Sequence, residues 1–208
     1  MGGSDAQLAA EGLPLVLASS SPQRREILRR LGVTFTVRAP NVSELDEGDP
    51  ETVVAENALR KASAVCLPGA KEVILGCDTV VALGGEVYGK PADESAARAT
   101  LRALSGVSHE VLSGLVLLLP GAGPAAPGTS SAPHTRTAVA RTTVTFRSLE
   151  ESLLDWYLAT GEWRERAGAY AIQGAGAALV RSVQGDYENV VGLPLAALLE
   201  LYPQLLGV

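Results

Sequence analysis

Val73 to Val81 reads Val-Ile-Leu-Gly-Cys-Asp-Thr-Val-Val and is the most hydrophobic strand in the chain, apolar on both of the faces that alternate along an extended backbone. A strand of this kind has to be covered on both sides, so it belongs at the centre of a layered sheet. One carboxylate, Asp78, interrupts it. Strands disfavour aspartate, and a buried carboxylate must be neutral, hydrogen-bonded, paired or on a metal, so Asp78 reads as a functional group ahead of a structural one. Gly76 would let a ligand or another chain segment come close.

The elements around this strand follow from turn and cap residues. Leu15 to Ala18 is a short strand, and a small-residue turn leads into a helix from Pro22 that stops at Gly32. Thr34 to Arg38 is a second strand. Asp49 and Pro50 stand at the N-cap and first position of a helix reaching about Val65, Gly84-Gly85 turns the chain toward Glu86-Val87-Tyr88, and Asp93 caps a helix from Glu94 to Leu104. His109 to Leu119 and Thr135 to Arg147 are the arms of a long hairpin, and the Pro/Gly/Ala/Ser-rich stretch 120–134 between them is expected to be a flexible loop. Glu150 to Ala159 reads as a helix, Ala177 to Val183 as a strand and Leu195 to Leu206 as a terminal helix. Strands and helices that interleave around a hairpin predict an α/β fold with a mixed sheet and flanking helices. Residues 1–13 are expected to be a flexible tail, and 14–208 a single domain.

Composition narrows the partners. With 47% apolar and 19% charged residues over 208 positions the chain can build its own core, yet no apolar run reaches the ~18 residues of a membrane span. A net charge of −6 opposes non-specific binding to a nucleic-acid backbone or an anionic membrane, so neither is an expected partner. Any anionic ligand must meet a local positive pocket. Two cysteines, Cys66 and Cys77, are too few for a disulfide scaffold and lack zinc-site spacing. Asp5 and Glu11 stand where an export signal carries Lys or Arg. Reduced thiols in the cytoplasm are the expectation.

Several polar residues look out of place. Ser19-Ser20-Ser21-Pro22 is a hydroxyl-rich turn opening onto a helix whose first amides have no intrahelical partner; such a turn binds phosphate or simply caps the helix. Arg24 shares the inward helical face with Ile27, Leu28 and Leu31, where it calls for an anion, either a bound phosphate or an internal carboxylate. Lys61 lies on the stripe of Val54, Ala58 and Val65, so it must meet an anion or snorkel to the surface. Lys90, past the Gly84-Gly85 turn, could return to the region of Asp78. Gln173, inside Gly168-Ala169-Tyr170-Ala171-Ile172-Gln173-Gly174, either reads a base edge with its amide or is a surface glutamine on a glycine-rich turn. His109, opening a strand, and His134, in the flexible segment, read as surface residues. The chain has no Gly-x-Ser-x-Gly elbow, Walker loop or Gly-x-Gly-x-x-Gly turn.

Taken together, Ser19-x-Ser21-Pro22-Gln23-Arg24, Glu44, Lys61, Gly76-Cys77-Asp78-Thr79, Gly89-Lys90-Pro91, Leu104-Ser105-Gly106, the Ala167 to Gly174 stretch and Val191-Gly192-Leu193-Pro194 closely resemble the Maf family of nucleoside triphosphate pyrophosphatases from Leu15 to about Leu206. The resemblance implies an inosine-triphosphatase-like mixed sheet with two lobes around a central cleft. It implies hydrolysis of a nucleoside triphosphate between the α and β phosphates, with Asp78 as proton acceptor. Ser19, Ser21, Arg24, Lys61 and Lys90 would bind the triphosphate, and Glu44 and Asp78 a divalent cation, for which magnesium or manganese suits oxygen ligands. Thr79 and Gln173 resemble the subfamily acting on dTTP and UTP. Gln23 departs from it: those members usually carry Arg there, and members acting on 7-methyl-GTP an aromatic residue. A modified nucleotide such as 7-methyl-GTP, or a nucleotide-sensing role in cell division, stands as the alternative. The sequence leaves homodimer formation open.

Overall fold

The computed structural model describes residues 12–69, 71–120 and 134–207. The expected N-terminal tail, apart from its last two positions, and the body of the expected 120–134 loop lie outside the described residues. In chain order the elements are β1 (Leu15–Ala18), α1 (Pro22–Arg30), β2 (Phe35–Val37), α2 (Pro50–Val65), β3 (Val73–Leu83), β4 (Glu86–Tyr88) and α3 (Glu94–Leu104). The hairpin arms β5 (Ser108–Leu119) and β6 (His134–Phe146) follow, then α4 (Glu151–Ala159), β7 (Val180–Gln184), α5 (Tyr187–Val191) and α6 (Leu195–Leu201). Three starts carry side-chain caps: Asp49 accepts from Thr52 N at 3.0 Å and Asp93 from Ala96 N at 2.8 Å, as the sequence predicts, and Ser21 from Arg24 N at 3.5 Å.

The strands form one seven-stranded mixed sheet in the order β2-β1-β3-β5-β6-β7, with β4 against β3. β1 runs parallel to β2 and β3, and the remaining pairs are antiparallel. One edge of β3 is shared by two short strands. β1 pairs it only as far as Gly76, β4 begins only at Val81, and β5 covers the other edge from Ile74 to Ala82. Cys77 to Val80 therefore have a strand neighbour on one side only, and the sheet is split beside Asp78, at the end of β1 where the chain turns into α1. Ligands of open α/β sheets bind at such places, outside the carboxyl ends of strands.

Close packing of α2 aims its side chains at that split. A Cβ on Gly76 would sit 2.3 Å from Ala58 O, and one on Gly114 of β5 2.2 Å from Val54 O, so these two glycines let the α2 backbone lie directly on the sheet. On this face Ala58 and Ala62 pack with Val16, Ala18, Ile74 and Val116. On the opposite face Leu17, Leu75 and Leu115 pack with Ile27 and Leu28 of α1 and Leu198 of α6. A further cluster joins Leu101 and Leu104 of α3 and Leu154, Tyr157 and Leu158 of α4 to Val81, Val111 and Phe146 at the other end of the sheet. The core is thus spread in clusters along one sheet, with Val53 and Val54 of α2, Val80 and Ala82 of β3 and Leu112 of β5 forming another. The expected mixed α/β architecture is the one observed.

Four expectations are corrected. The predicted strand from Ala177 begins only at Val180, because Ala175–Leu179 coils into a 3-10 turn of small residues. The terminal helix ends at Leu201: Pro203 has no amide to continue the ladder, and Tyr202 leaves helical geometry at φ −137° and ψ 73° before a 3-10 turn, Pro203–Leu206. His134 belongs to β6, where it pairs with Leu119. His109 is buried at 2% exposure, its Nε2 3.0 Å from Tyr170 Oη and its ring edge-on to Phe146. The short helix α5, capped by Asp186 onto Glu188 N at 2.8 Å, had no periodic signal because it is too brief to show one.

Candidate active site

Asp78 and Thr79 are consecutive on β3 and point to opposite faces of the sheet, since side chains alternate along a strand. On the α2 face Lys61 Nζ lies 2.5 Å from Asp78 Oδ1, and Asn57 Nδ2 donates to Asp78 Oδ2 at 2.9 Å. Lys61 also meets Glu44 Oε1 at 3.0 Å. Lys61, Asp78 and Asn57 are all buried, whereas Glu44 is half exposed. The alternatives for Lys61 are thus decided by geometry: it holds two carboxylates and does not snorkel. Each Asp78 oxygen has one side-chain donor and keeps acceptor capacity, and the residue lines the cleft.

Asn57 is a member of the site that sequence reasoning missed. It accepts from Leu45 N at 2.7 Å and returns its amide to Leu45 O at 2.9 Å, while its second N–H reaches Asp78. One side chain thereby ties the Glu44-Leu45 loop to β3 with every amide atom used. The signal was present: Asn57 stands four residues before Lys61, on the same stripe of α2.

On the α1 face Arg24 is buried at 7% exposure, and it has no carboxylate partner among the described residues. Its Nε donates to Gly192 O at 2.8 Å, Nη1 to Ser19 Oγ at 3.2 Å and Nη2 to Thr79 Oγ1 at 3.1 Å. Neutral acceptors orient the guanidinium and leave its charge uncompensated. Ser19 Oγ also accepts from Ser21 N at 3.1 Å, and Ser21 Oγ donates to Gln23 Oε1 at 3.0 Å, so the serine turn, Gln23 and Arg24 form one connected rim. Ser113, a buried hydroxyl on β5 also absent from the sequence expectations, lies 2.7 Å from Thr79 Oγ1.

A single cavity of about 670 Å³ collects these groups. Ser19, Ser21, Gln23, Arg24, Glu44, Lys61, Asp78 and Thr79 line one side. Lys90 and Gln173, both exposed, line the other with Tyr170 and the segment Arg164 to Ala167, which the sequence reading did not single out. Lys90 Nζ meets Glu165 Oε2 at 3.1 Å. Arg24, Lys61, Lys90, Arg164 and Arg166 stand against Glu44, Asp46, Asp78 and Glu165, so the cleft carries one more cation than carboxylate inside a chain of net charge −6. That is the local positive pocket an anion needs. Cys77 is no nucleophile, since burial pushes its thiol up. Nor is His109 an exchanging base near neutrality, because burial holds it down at about 4. It stands behind Tyr170, whose phenol burial pushes up as well.

Fold and site define an α/β protein with a cleft at a split in its sheet, where a buried, donor-held carboxylate stands among cations that outnumber the carboxylates by one. Residues 14–205 match the family model described as Maf, Maf-like protein, and the chain belongs to that family. It is 44% identical to a dTTP/UTP pyrophosphatase of Symbiobacterium thermophilum over 91% of this chain and 93% of that one. A dTTP/UTP pyrophosphatase of Anaeromyxobacter dehalogenans is 48% identical over 88% and 89%, and one of Deinococcus radiodurans 41% identical over 93% and 94%. The solved structure of the Staphylococcus aureus Ham1 protein overlaps 64% of this chain and 71% of its own, at 14% identity and a TM-score of 0.41, too loosely to align site residues. Among the described residues no helix is long and apolar enough to cross a membrane.

Proposed function

We propose that the chain hydrolyses nucleoside triphosphates, dTTP and UTP foremost, between the α and β phosphates, releasing the monophosphate and pyrophosphate. The observation that carries the reading is the Asp78–Lys61 pair at 2.5 Å, sunk in the floor of a cleft in which Arg24, Arg164 and Arg166 lack carboxylate partners among the described residues. The names of the relatives supply the substrate class.

Water attacks the α phosphorus from the Asp78 side, its proton passes to a free lone pair of the Asp78 carboxylate, and the bond from phosphorus to the bridging oxygen breaks. Pyrophosphate leaves with that electron pair. Asn57 and Lys61 hold the Asp78 carboxylate so that no reorientation is needed, and general-base help of this kind is worth ~10²–10⁴-fold. Arg24 and the serine-turn amides are fixed donors for the charge that grows on the leaving group. Lys90 reaches the same anion from the opposite wall once it releases Glu165.

The donor set suits a hard divalent cation, magnesium or manganese: Glu44 and Asp78 already converge on one positive atom, Lys61 Nζ, through oxygens alone. Among the described residues no three acidic, histidine or cysteine side chains gather as a complete cage, so the remaining ligands would be phosphate oxygens and water. Such a cation supplies Lewis-acid neutralisation of phosphate charge. Thr79 and Gln173 belong to base selection in this reading, and both cysteines being free thiols accords with the cytoplasm.

Asp78→Asn tests the assignment. It keeps the strand's shape and both partners within reach, so it should fold and lose at least ~100-fold in pyrophosphate release from UTP. Near wild-type turnover would take the proton-acceptor role away from Asp78.

A further inference from the structure

Arg166 lines the cleft, and its side chain forms no hydrogen bond or ion pair with any described residue. Its Nε is shielded from solvent and has no acceptor. The other cations of the cleft are all engaged. Lys61 holds Asp78 and Glu44, Lys90 holds Glu165, Arg24 has three neutral acceptors, and Arg164 lies over the Trp163 ring at 4.5 Å.

Buried N–H donors are nearly always paired in folded proteins, and a guanidinium Nε–H shielded from solvent without an acceptor is in a posture that ligand binding can relieve. The backbone that presents it is specially held. Glu165 at φ 58° and Ala169 at φ 61° adopt left-handed geometry that residues with a Cβ rarely take, and such conformations persist where the surroundings enforce them. Gly168 supplies the fixing point: its N–H donates to Gly89 O at 3.2 Å, and a Cβ there would meet Val81 Cγ2 at 2.6 Å. The adjoining carboxylate of Glu165 faces Lys90 and leaves Arg166 unneutralised.

We propose that Arg166 is a further substrate-binding residue, its Nε–H and one Nη–H turning into the cleft to donate to two non-bridging oxygens of a phosphate of the bound nucleotide. A phosphate offers paired oxygens and full charge to the guanidinium fork, whereas a base carbonyl offers one neutral acceptor. The assignment rests on the pyrophosphatase reading for its substrate, and its test separates the two.

Inorganic tripolyphosphate, which has no base or sugar, is titrated into wild type, Arg166→Gln and Arg166→Lys by calorimetry, and KM and kcat for UTP are measured on the same proteins. Arg166→Gln should weaken tripolyphosphate binding about tenfold or more and raise the UTP KM by a similar factor with a smaller change in kcat, the pattern of an interaction made before and during reaction. Arg166→Lys, which keeps charge but not the fork, should fall between. Glutamine within twofold of wild type in both affinity and KM overturns the proposal, as does a wild type that does not bind tripolyphosphate, or a fall in both variants that merely follows a lowered melting temperature. If wild type releases no pyrophosphate from any nucleotide yet binds tripolyphosphate through Arg166, the contact stands and the enzyme reading fails.

Discussion

The two walls of the cleft are built differently. On the wall formed by β3, α2 and the serine turn, polar groups are locked before any ligand arrives: Asp78 has two donors, Asn57 uses every amide atom, and Arg24 has three acceptors. On the wall formed by Arg164 to Gln173, the Arg166 side chain has no partner among the described residues, Gln173 is exposed, and Lys90 shares an exposed pair with Glu165. Exposed pairs of that kind are worth ~0–1 kcal/mol, so a ligand can take Lys90 away from Glu165 cheaply. In the proposed reading the difference separates chemistry from capture: groups that act on a developing charge without reorganising sit on the rigid sheet wall, and Lys90 and Arg166 on the adaptable wall add contacts to the bound phosphates.

The largest effect that would break this contrast is at Lys61. Lys61→Met leaves Asp78 buried with only Asn57 as donor, and removing one partner of a buried pair costs ~3–5 kcal/mol. Turnover should fall at least ~100-fold along with stability, whereas Arg164→Ala on the other wall should change stability by less than ~1 kcal/mol, since its ring contact is partly exposed. Equal losses of denaturation free energy in the two variants would erase the distinction between the walls.

His109 tests what lies behind the adaptable wall. Its folded value, about 4, is below the ordinary histidine value because burial penalises the charged ring. Folding therefore prefers the neutral form. The stability this represents is fully present above ~6.5 and is lost as pH falls from ~6.5 through 4, up to ~3 kcal/mol in total. His109→Gln cannot charge, so its melting temperature should decline less steeply than that of wild type across this window. Parallel declines would mean that His109 is not held neutral behind Tyr170.

At Gly76 the contrast can be sharpened by displacing the rigid wall without replacing a polar side chain. Gly76→Ala puts a methyl 2.3 Å from Ala58 O, so α2 must shift, at ~1–3 kcal/mol by the usual cost of overpacking. Because Asn57 and Lys61 ride on α2, kcat for UTP should drop more than KM rises; an unchanged kcat would show that Asp78 tolerates loose support.

Legibility in the sequence followed the same division. The rigid wall could be read because its residues break strong local patterns: Asp78 interrupts an apolar strand, Lys61 an apolar helical stripe, and Arg24 heads an inward face. The structure gathers all of these into one cavity. Helix starts were equally readable, since a cap and its proline are local chemistry. What sequence reading lost depends on tertiary context. Arg166 lies in a stretch without period, His109 is buried only because Phe146 and Tyr170 close over it, and Asn57 is polar on a stripe whose partner, Leu45, is twelve positions away. The Maf resemblance named the cleft residues but gave no reason for their pairing; the split edge of β3 and the two close-approach glycines supply it.

The smallest expected effect concerns Gln23, on the rim of the rigid wall. Its Oε1 accepts from Ser21 Oγ at 3.0 Å, which ties the side chain back to its own helix cap. Gln23→Arg removes that acceptor, but Ser21 still caps Arg24 N, so stability should stay within ~1 kcal/mol. The new guanidinium is free to face the cleft, and the ratio of kcat/KM for UTP to that for 7-methyl-GTP should rise by less than about tenfold, or ~1.4 kcal/mol of discrimination. A rise far beyond that would move base selection from Thr79 and Gln173 onto the serine rim. A proportional change on both nucleotides would instead mean that position 23 acts on the phosphates they share, making the rim part of the capture surface.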